Sequence, residues 1–205
     1  MPFAFICRIA LLLLLTPLVS SAATLTAHVL EPGGAAVRDS VVYAMPVGSK
    51  PSVHAPRSAV IDQINRMFVP LVSVIETGTS VTFPNNDNIR HQVYSFSPAK
   101  TFVLKLYSGV PAEPVVFDKP GLVVLGCNIH DRMVAYLQVV DTPWFGKTGP
   151  DGMVRLDLPS GDYDVHVWHF REIGDDEVRR VTVQADSTLS VMLKLKPAAA
   201  DSMQP

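Results

Sequence analysis

The sequence predicts an all-β protein built as one Greek-key β-sandwich with a second, smaller β-sandwich beside it. Three observations carry this. Short runs alternate apolar and polar residues at the two-residue period of a half-buried strand. Glycine and proline, 12 and 17 residues, interrupt these runs at short intervals. No segment sustains a helical period. At 205 residues the chain is long enough for one large or two small domains and a real core.

In chain order, residues 1–23 read as a secretory signal peptide: Arg8 and the amino terminus supply the positive end, residues 9–15 the apolar run, and Ser21-Ala22-Ala23 the small residues of a cleavage site. The apolar run is short for a bilayer, which favours cleavage and a periplasmic protein with no membrane span; an uncleaved anchor is the alternative. Leu25, Ala27 and Val29 then alternate with polar or small neighbours, and Glu31-Pro32-Gly33-Gly34 turns the chain into a strand over 40–45. Residues 46–58 hold three prolines and read as a connection. Candidate strands follow at 72–75, 80–83, 93–95, 102–106, 115–117, 122–125 and 134–140, a density that suggests two packed antiparallel sheets. The turn Asp118-Lys119-Pro120-Gly121 makes a hairpin whose second strand runs into Cys127. Beyond Thr142, further alternating runs at 154–158, 163–168, 181–183 and 189–195 form a second all-β unit, and 197–205 reads as a disordered tail.

With 17 basic and 19 acidic residues the chain is nearly neutral, and no basic block offers a nucleic-acid surface. A protein partner would be met through a local patch.

The chemistry concentrates in Cys127-Asn128-Ile129-His130-Asp131-Arg132-Met133 and the distant His91. A thiolate, two imidazoles and a thioether are the ligand set of a blue-copper centre, with the thioether as the weak axial contact. Removing the leader removes Cys7, so Cys127 is the single cysteine of an exported protein, and metal ligation is the simplest engagement for it. Structural zinc would want a fourth His, Cys or carboxylate, and Asp131 could serve only by bending the loop away from Met133. A Cys127–His130 nucleophile lacks an evident orienting group and leaves Met133 unexplained. An inert buried Cys127 and a core-filling Met133 are the bland alternatives. His28, His54, His166 and His169 form no His-x-His pair, which argues against a multicopper oxidase; His166 and His169 should fall on opposite faces of one strand.

At these residues the sequence resembles the cupredoxins of the plastocyanin and amicyanin type, and the Cys-x2-His-x2-Met loop is spaced like that of amicyanin. The resemblance runs over residues 60–141, taking in Phe68-Val69-Pro70, the stretch from Glu76 to Phe83, and Phe117-Asp118-Lys119-Pro120-Gly121. With the stretch from His91 to Pro98 it is similar to the bacterial "methylamine utilization" type, a label by association that establishes no pathway. Many cupredoxins place Asn after the first histidine ligand, where this chain has Gln92. The resemblance implies one type 1 copper ion held by His91, Cys127, His130 and Met133, with His130 nearest solvent. It implies single-electron carriage, not enzymatic catalysis, between partners such as a c-type cytochrome or a dehydrogenase. Copper capture, delivery or sensing would use the same ligands, and in a structural reading copper is incidental.

The segment after Thr142 resembles the carboxypeptidase regulatory-like, transthyretin-like sandwich, and the strands that open that module stand at residues 24–46. The expectation is a copper domain over 59–141 inserted into a sandwich made of 24–55 with 142–196; the alternative gives the first strands to the copper domain's own sheet. Mass spectrometry of the exported protein should find Ala23 or Thr24 at its amino terminus, whereas a retained residue 1–22 segment would overturn the signal-peptide reading.

Overall fold

The computed structural model describes residues 22–49, 51, 57–111, 113–174 and 176–197. Most of the predicted leader, His54 and nearly all of the predicted tail lie outside the described residues. Within them the chain is all-β, with no helix and so none long and apolar enough to cross a membrane.

The first two strands are β1 (Ala22–Leu30) and β2 (Val41–Pro46). In β1 the predicted alternation holds: Leu25, Ala27 and Val29 are fully buried, and Thr24, Thr26 and His28 face the other way. Then come β3 (Ser58–Val60), β4 (Asp62–Ile64), β5 (Met67–Val69), β6 (Val72–Glu76), β7 (Thr79–Thr82), β8 (His91–Ser97), β9 (Lys100–Tyr107), β10 (Val115–Phe117), β11 (Gly121–Gly126) and β12 (Val134–Val140). The last five are β13 (Phe145–Lys147), β14 (Met153–Pro159), β15 (Gly161–Trp168), β16 (Glu177–Val183) and β17 (Ser187–Met192). The sequence predicts seven of the central strands. It misses β3, β4 and β5, because a three-residue strand is too short to display a period.

The central strands make a five-stranded sheet in the order β6-β12-β11-β8-β9, facing a smaller sheet β10-β7-β3, with β4 and β5 pairing as a hairpin. The order sets β12 beside β6 and β11 beside β8, strands well separated in sequence, as a Greek key requires, and β6–β12 and β3–β7 run parallel. Between the sheets lie Phe68, Phe83, Phe117, Leu125 and Leu137, with Phe102 edge-on to Phe117 at 6.0 Å. Such an aromatic truncated to alanine typically costs about 3–5 kcal/mol.

The outer strands form a second pair of sheets. β1 lies between β14 (antiparallel) and β17 (parallel), and β2 pairs with β13 and β15. The strands that precede the central sandwich in sequence therefore pair with those that follow it. Leu25, Val29, Val42, Leu158, Val165 and Val167 share their core. The Tyr163 hydroxyl donates to the Pro159 carbonyl (2.9 Å) and closes the β14–β15 turn.

A third apolar cluster joins the two sandwiches. Val41 and Trp168 from one side pack with Val72, Leu122 and Tyr136 from the other. Polar contacts fasten the same junction: Lys147 Nζ donates to the Val72 carbonyl (2.6 Å) while pairing with Asp39 (3.0 Å). The link from β12 to β13 is short and pinned by buried Thr142, whose hydroxyl donates to the Ala44 carbonyl (2.7 Å).

Just past β15 a turn completes the junction. The N–H of Glu172 donates to the His169 carbonyl (2.9 Å) and that of Arg171 to His169 Nδ1 (3.2 Å), while Phe170 stacks on Tyr136 at 5.2 Å. His169 thus lies beyond the strand, not on the opposite face from His166, because the ladder stops at Trp168. Burial pushes the Glu172 carboxyl up to about 7 from 4.5, and burial, aided by Arg171, pushes the His169 imidazole down to about 4 from 6.5. The neutral Glu172 that the fold prefers costs nothing below about pH 4.5, and its contribution is lost as pH rises through about 7; His169 loses its contribution in the opposite direction, as pH falls from 6.5 towards 4. As pH rises from about 4.5 to about 7 the wild type should therefore lose melting temperature relative to Glu172→Gln; parallel wild-type and variant curves across that range would contradict this assignment.

Candidate metal centre

β11 and β12 form an antiparallel ladder from Gly121↔Val139 to Gly126↔Val134, and residues 127–133 are the loop that closes it. Cys127 is the first residue past β11 and is buried; Met133 is the last before β12 and is buried in the same apolar cluster. The Met133 N–H donates to the His130 carbonyl (2.9 Å), which turns the loop back on itself. Gly126 is required by its neighbour: a Cβ there would meet the Tyr94 ring at 2.7 Å.

His91 opens β8 on the adjacent strand and is fully buried. Between His91 and Val93 the β8–β9 register shifts, with Tyr107 opposite His91 but Leu104 opposite Val93, so the extra residue belongs to β9. Its mark is two consecutive exposed side chains, Lys105 and Leu106. A bulge of this kind re-aims side chains beside a site.

The geometry joins three of the four predicted ligands. The candidate ligand atoms of His91, Cys127 and His130 all lie within 4.8 Å of one another. Cys127 Sγ is 3.7 Å from His91 Nδ1, and the two imidazole centroids are 5.1 Å apart. Met133 stands at the base of the same loop. His91 is sealed off, whereas His130 is partly exposed beside exposed Ile129.

Sequence reasoning missed the group behind His91. Asp87 Oδ2 lies 2.9 Å from His91 Nε2 and also accepts the Arg66 N–H (2.6 Å). The hydrogen bond with His91 is the chief cause holding the Asp87 carboxyl below its ordinary range. A carboxylate can only accept, so Nε2 of His91 donates, and in the neutral ring this leaves the Nδ1 lone pair facing Cys127. Asn85, buried, holds the same loop: its amide donates to the carbonyls of Ile89 (2.9 Å) and Tyr107 (2.8 Å), and its Oδ1 accepts the Asp87 N–H (3.0 Å). Asn85 and Asp87 thus brace the loop that leads into His91. The one available signal was the polar run Asn85-Asn86-Asp87-Asn88 just before the histidine, which has no periodicity to interpret.

The chemistry of this donor set suits a soft metal. Nδ1 of His130 is buried with no hydrogen-bond partner among the described residues, an arrangement that costs about 1–3 kcal/mol unless the nitrogen is engaged. Among the described residues no carboxylate joins the three-residue cluster, so a hard fourth ligand of the kind structural zinc often takes is not provided by them.

No protein-family model matches the chain, and no curated protein does. Among solved structures it is similar to a copper-containing nitrite reductase from Thermus scotoductus (26% identity over 47% of this chain, TM-score 0.38), of whose length it spans 25%. It is similar also to a purple cupredoxin from Nitrosopumilus maritimus (23% identity, 41% of this chain and 99% of that one, TM-score 0.35). A third likeness is to a reduced amicyanin mutant (18% identity, 48% and 99%, TM-score 0.36). The neighbours are cupredoxins, matched at low identity over less than half of the chain.

Asp87→Asn keeps the shape but removes the charge behind His91. It should weaken copper binding about 10- to 100-fold in a competition titration against a chelator; unchanged affinity would show that the carboxylate does not act through His91.

Proposed function

We propose that this chain is a periplasmic type 1 copper protein that carries single electrons between redox partners and is not itself an enzyme. The observation that carries the reading is the convergence of one thiol and two imidazoles within 4.8 Å, beside a buried Met133. Copper held there would supply one-electron exchange between Cu(I) and Cu(II). In this assignment copper would be held by the Cys127 thiolate, the His91 and His130 imidazole nitrogens and the Met133 thioether.

What the protein contributes is fixed geometry. Asp87 sets the tautomer and direction of His91, and the Gly126↔Val134 pair clamps both ends of the loop that bears the other ligands. Ligands that stay in place while charge changes keep the reorganisation small. His130, the more exposed imidazole, gives the electron its way in and out, and exposed Ile129 beside it supplies apolar contact for a partner such as a c-type cytochrome or a dehydrogenase. We also infer that residues 59–141 form a copper domain inserted into a transthyretin-like sandwich of 24–55 and 142–196; the pairing of β1 with β14 and β17, and of β2 with β13 and β15, supports this.

Loading with Cu(II) should turn the protein intensely blue through thiolate-to-copper charge transfer, and Cys127→Ser should abolish the colour. Met133→Leu should keep the colour and raise the reduction potential, because losing a weak donor destabilises Cu(II) relative to Cu(I). A colourless Cu(II) protein, or a blue one that exchanges no electrons with periplasmic cytochromes or dehydrogenases, would replace the carrier with a copper-binding role.

A further inference from the structure

The outer face of the β14-β1-β17 sheet carries a second set of soft donors, on strands that contribute nothing to the ligand loop. In β1 the odd-numbered residues fill the core, so Thr24, Thr26, His28 and Leu30 point outward. Its partners alternate in the same way. In β14, Leu156 and Leu158 are buried while Met153, Arg155 and Asp157 are exposed, and in β17 Val191 is buried while Met192 is exposed.

The register sets one imidazole between two thioethers. His28 pairs with Met153 on β14 and with Ser190 on β17, and Met192 stands one outward position beyond Ser190, level with Leu30. The Val29 N–H donates to the Gly152 carbonyl (2.8 Å), which makes His28↔Met153 a non-hydrogen-bonded pair, the kind whose side chains approach more closely. Met192 is a diagonal neighbour of His28, within reach of a long side chain. Methionine is unbranched and turns about three bonds, so both thioethers can lean over the ring from opposite sides. The His28 ring takes part in no hydrogen bond, ion pair or ring contact among the described residues.

These thioethers stand where core packing would not put them. Met153 is 41% exposed and Met192 65%, and among the described residues no other methionine is exposed. Sulfur and imidazole suit a soft ion such as Cu(I), whereas magnesium, calcium and manganese call for oxygen. Arg155, one outward position from Met153, adds a positive charge beside the set, and Coulomb repulsion from it is twice as large for a divalent ion as for a monovalent one. Asp157 lies one position further along and accepts the Thr24 hydroxyl.

We propose that His28, Met153 and Met192 form an exposed binding site for Cu(I) on the outer face of the second sandwich. Three soft donors are a sufficient set for this ion, and the solvent side is left open to a ligand from another molecule. The ion is therefore held where it can be exchanged, in contrast to the buried Cys127. The site uses no residue of the loop centre and stands whether or not that centre carries electrons.

The test is a titration of the full-length exported protein with Ag(I), a redox-inert stand-in for Cu(I), followed through assigned methionine methyl and histidine ring resonances. The Met133 methyl reports the loop centre, while Met153, Met192 and His28 report the outer face, so the two sites succeed or fail separately. Ag(I), and Cu(I) without oxygen, should shift the Met153 and Met192 methyls together with the His28 ring; Zn(II) should leave both methyls in place. Met153→Leu, Met192→Leu and His28→Gln, all on the surface, should each weaken binding at this face by about tenfold or more and leave the Met133 response unchanged. The proposal fails if the outer methyls do not move at about 1 mM Ag(I), the weak end of specific affinity. It fails equally if Zn(II) moves them as much, or if they move in His28→Gln as in the wild type, which would mark separate thioethers meeting an adventitious ion only.

Discussion

The constraint on which the structure turns is the burial of an imidazole and a thiol against each other inside an apolar sandwich. Polar groups in such a core must be satisfied, and His91 meets this requirement from both sides: Asp87 accepts a hydrogen bond from its Nε2 and Cys127 faces its Nδ1. Much of the surrounding architecture keeps that relation fixed. The bulge in β9, the Asn85 bonds to the end of β9, and the ladder that clamps the ligand loop each remove a way for the site to relax. Aromatic packing of Phe83, Phe102 and Phe117 stiffens the core beneath.

The second sandwich is joined to this core along a surface, not merely at the ends of a linker. Trp168 and Phe170 pack on Tyr136, whose own strand leads into the link pinned by Thr142, and Lys147 reaches across to a β6 carbonyl. The central sheet thus has apolar contacts on both faces at its β6–β12–β11 side. At β8 and β9 the outer face is open, with Phe96 and Val103 exposed.

What the sequence made legible follows from the range of the signals. Alternation along β1, β12 and β15 showed directly because one face of each is buried throughout, and the Cys-x2-His-x2-Met loop showed because its residues are close in sequence. The third candidate ligand, His91, was read from residue type and resemblance. Asp87 stayed hidden, since a carboxylate in a run of polar loop residues carries no period, and its role exists only once the loop folds over His91. Tyr43 and His166 were unreadable for another reason: they stack across strands far apart in the chain, and neither strand announces its partner. The pairing of the earliest strands with the latest came from the resemblance of the tail to a known sandwich, not from any local pattern.

The pair Gly126↔Val134 has a consequence for how such a chain can change. Because the two strands are already bonded at that rung, the residues between them are a closed appendage whose length is not registered by the sheet. Insertions or deletions there would alter the spacing of Cys127, His130 and Met133 while leaving the framework untouched. Lineages of this architecture are therefore free to retune the centre by trading loops, a form of modularity that resides in a single rung of backbone hydrogen bonds.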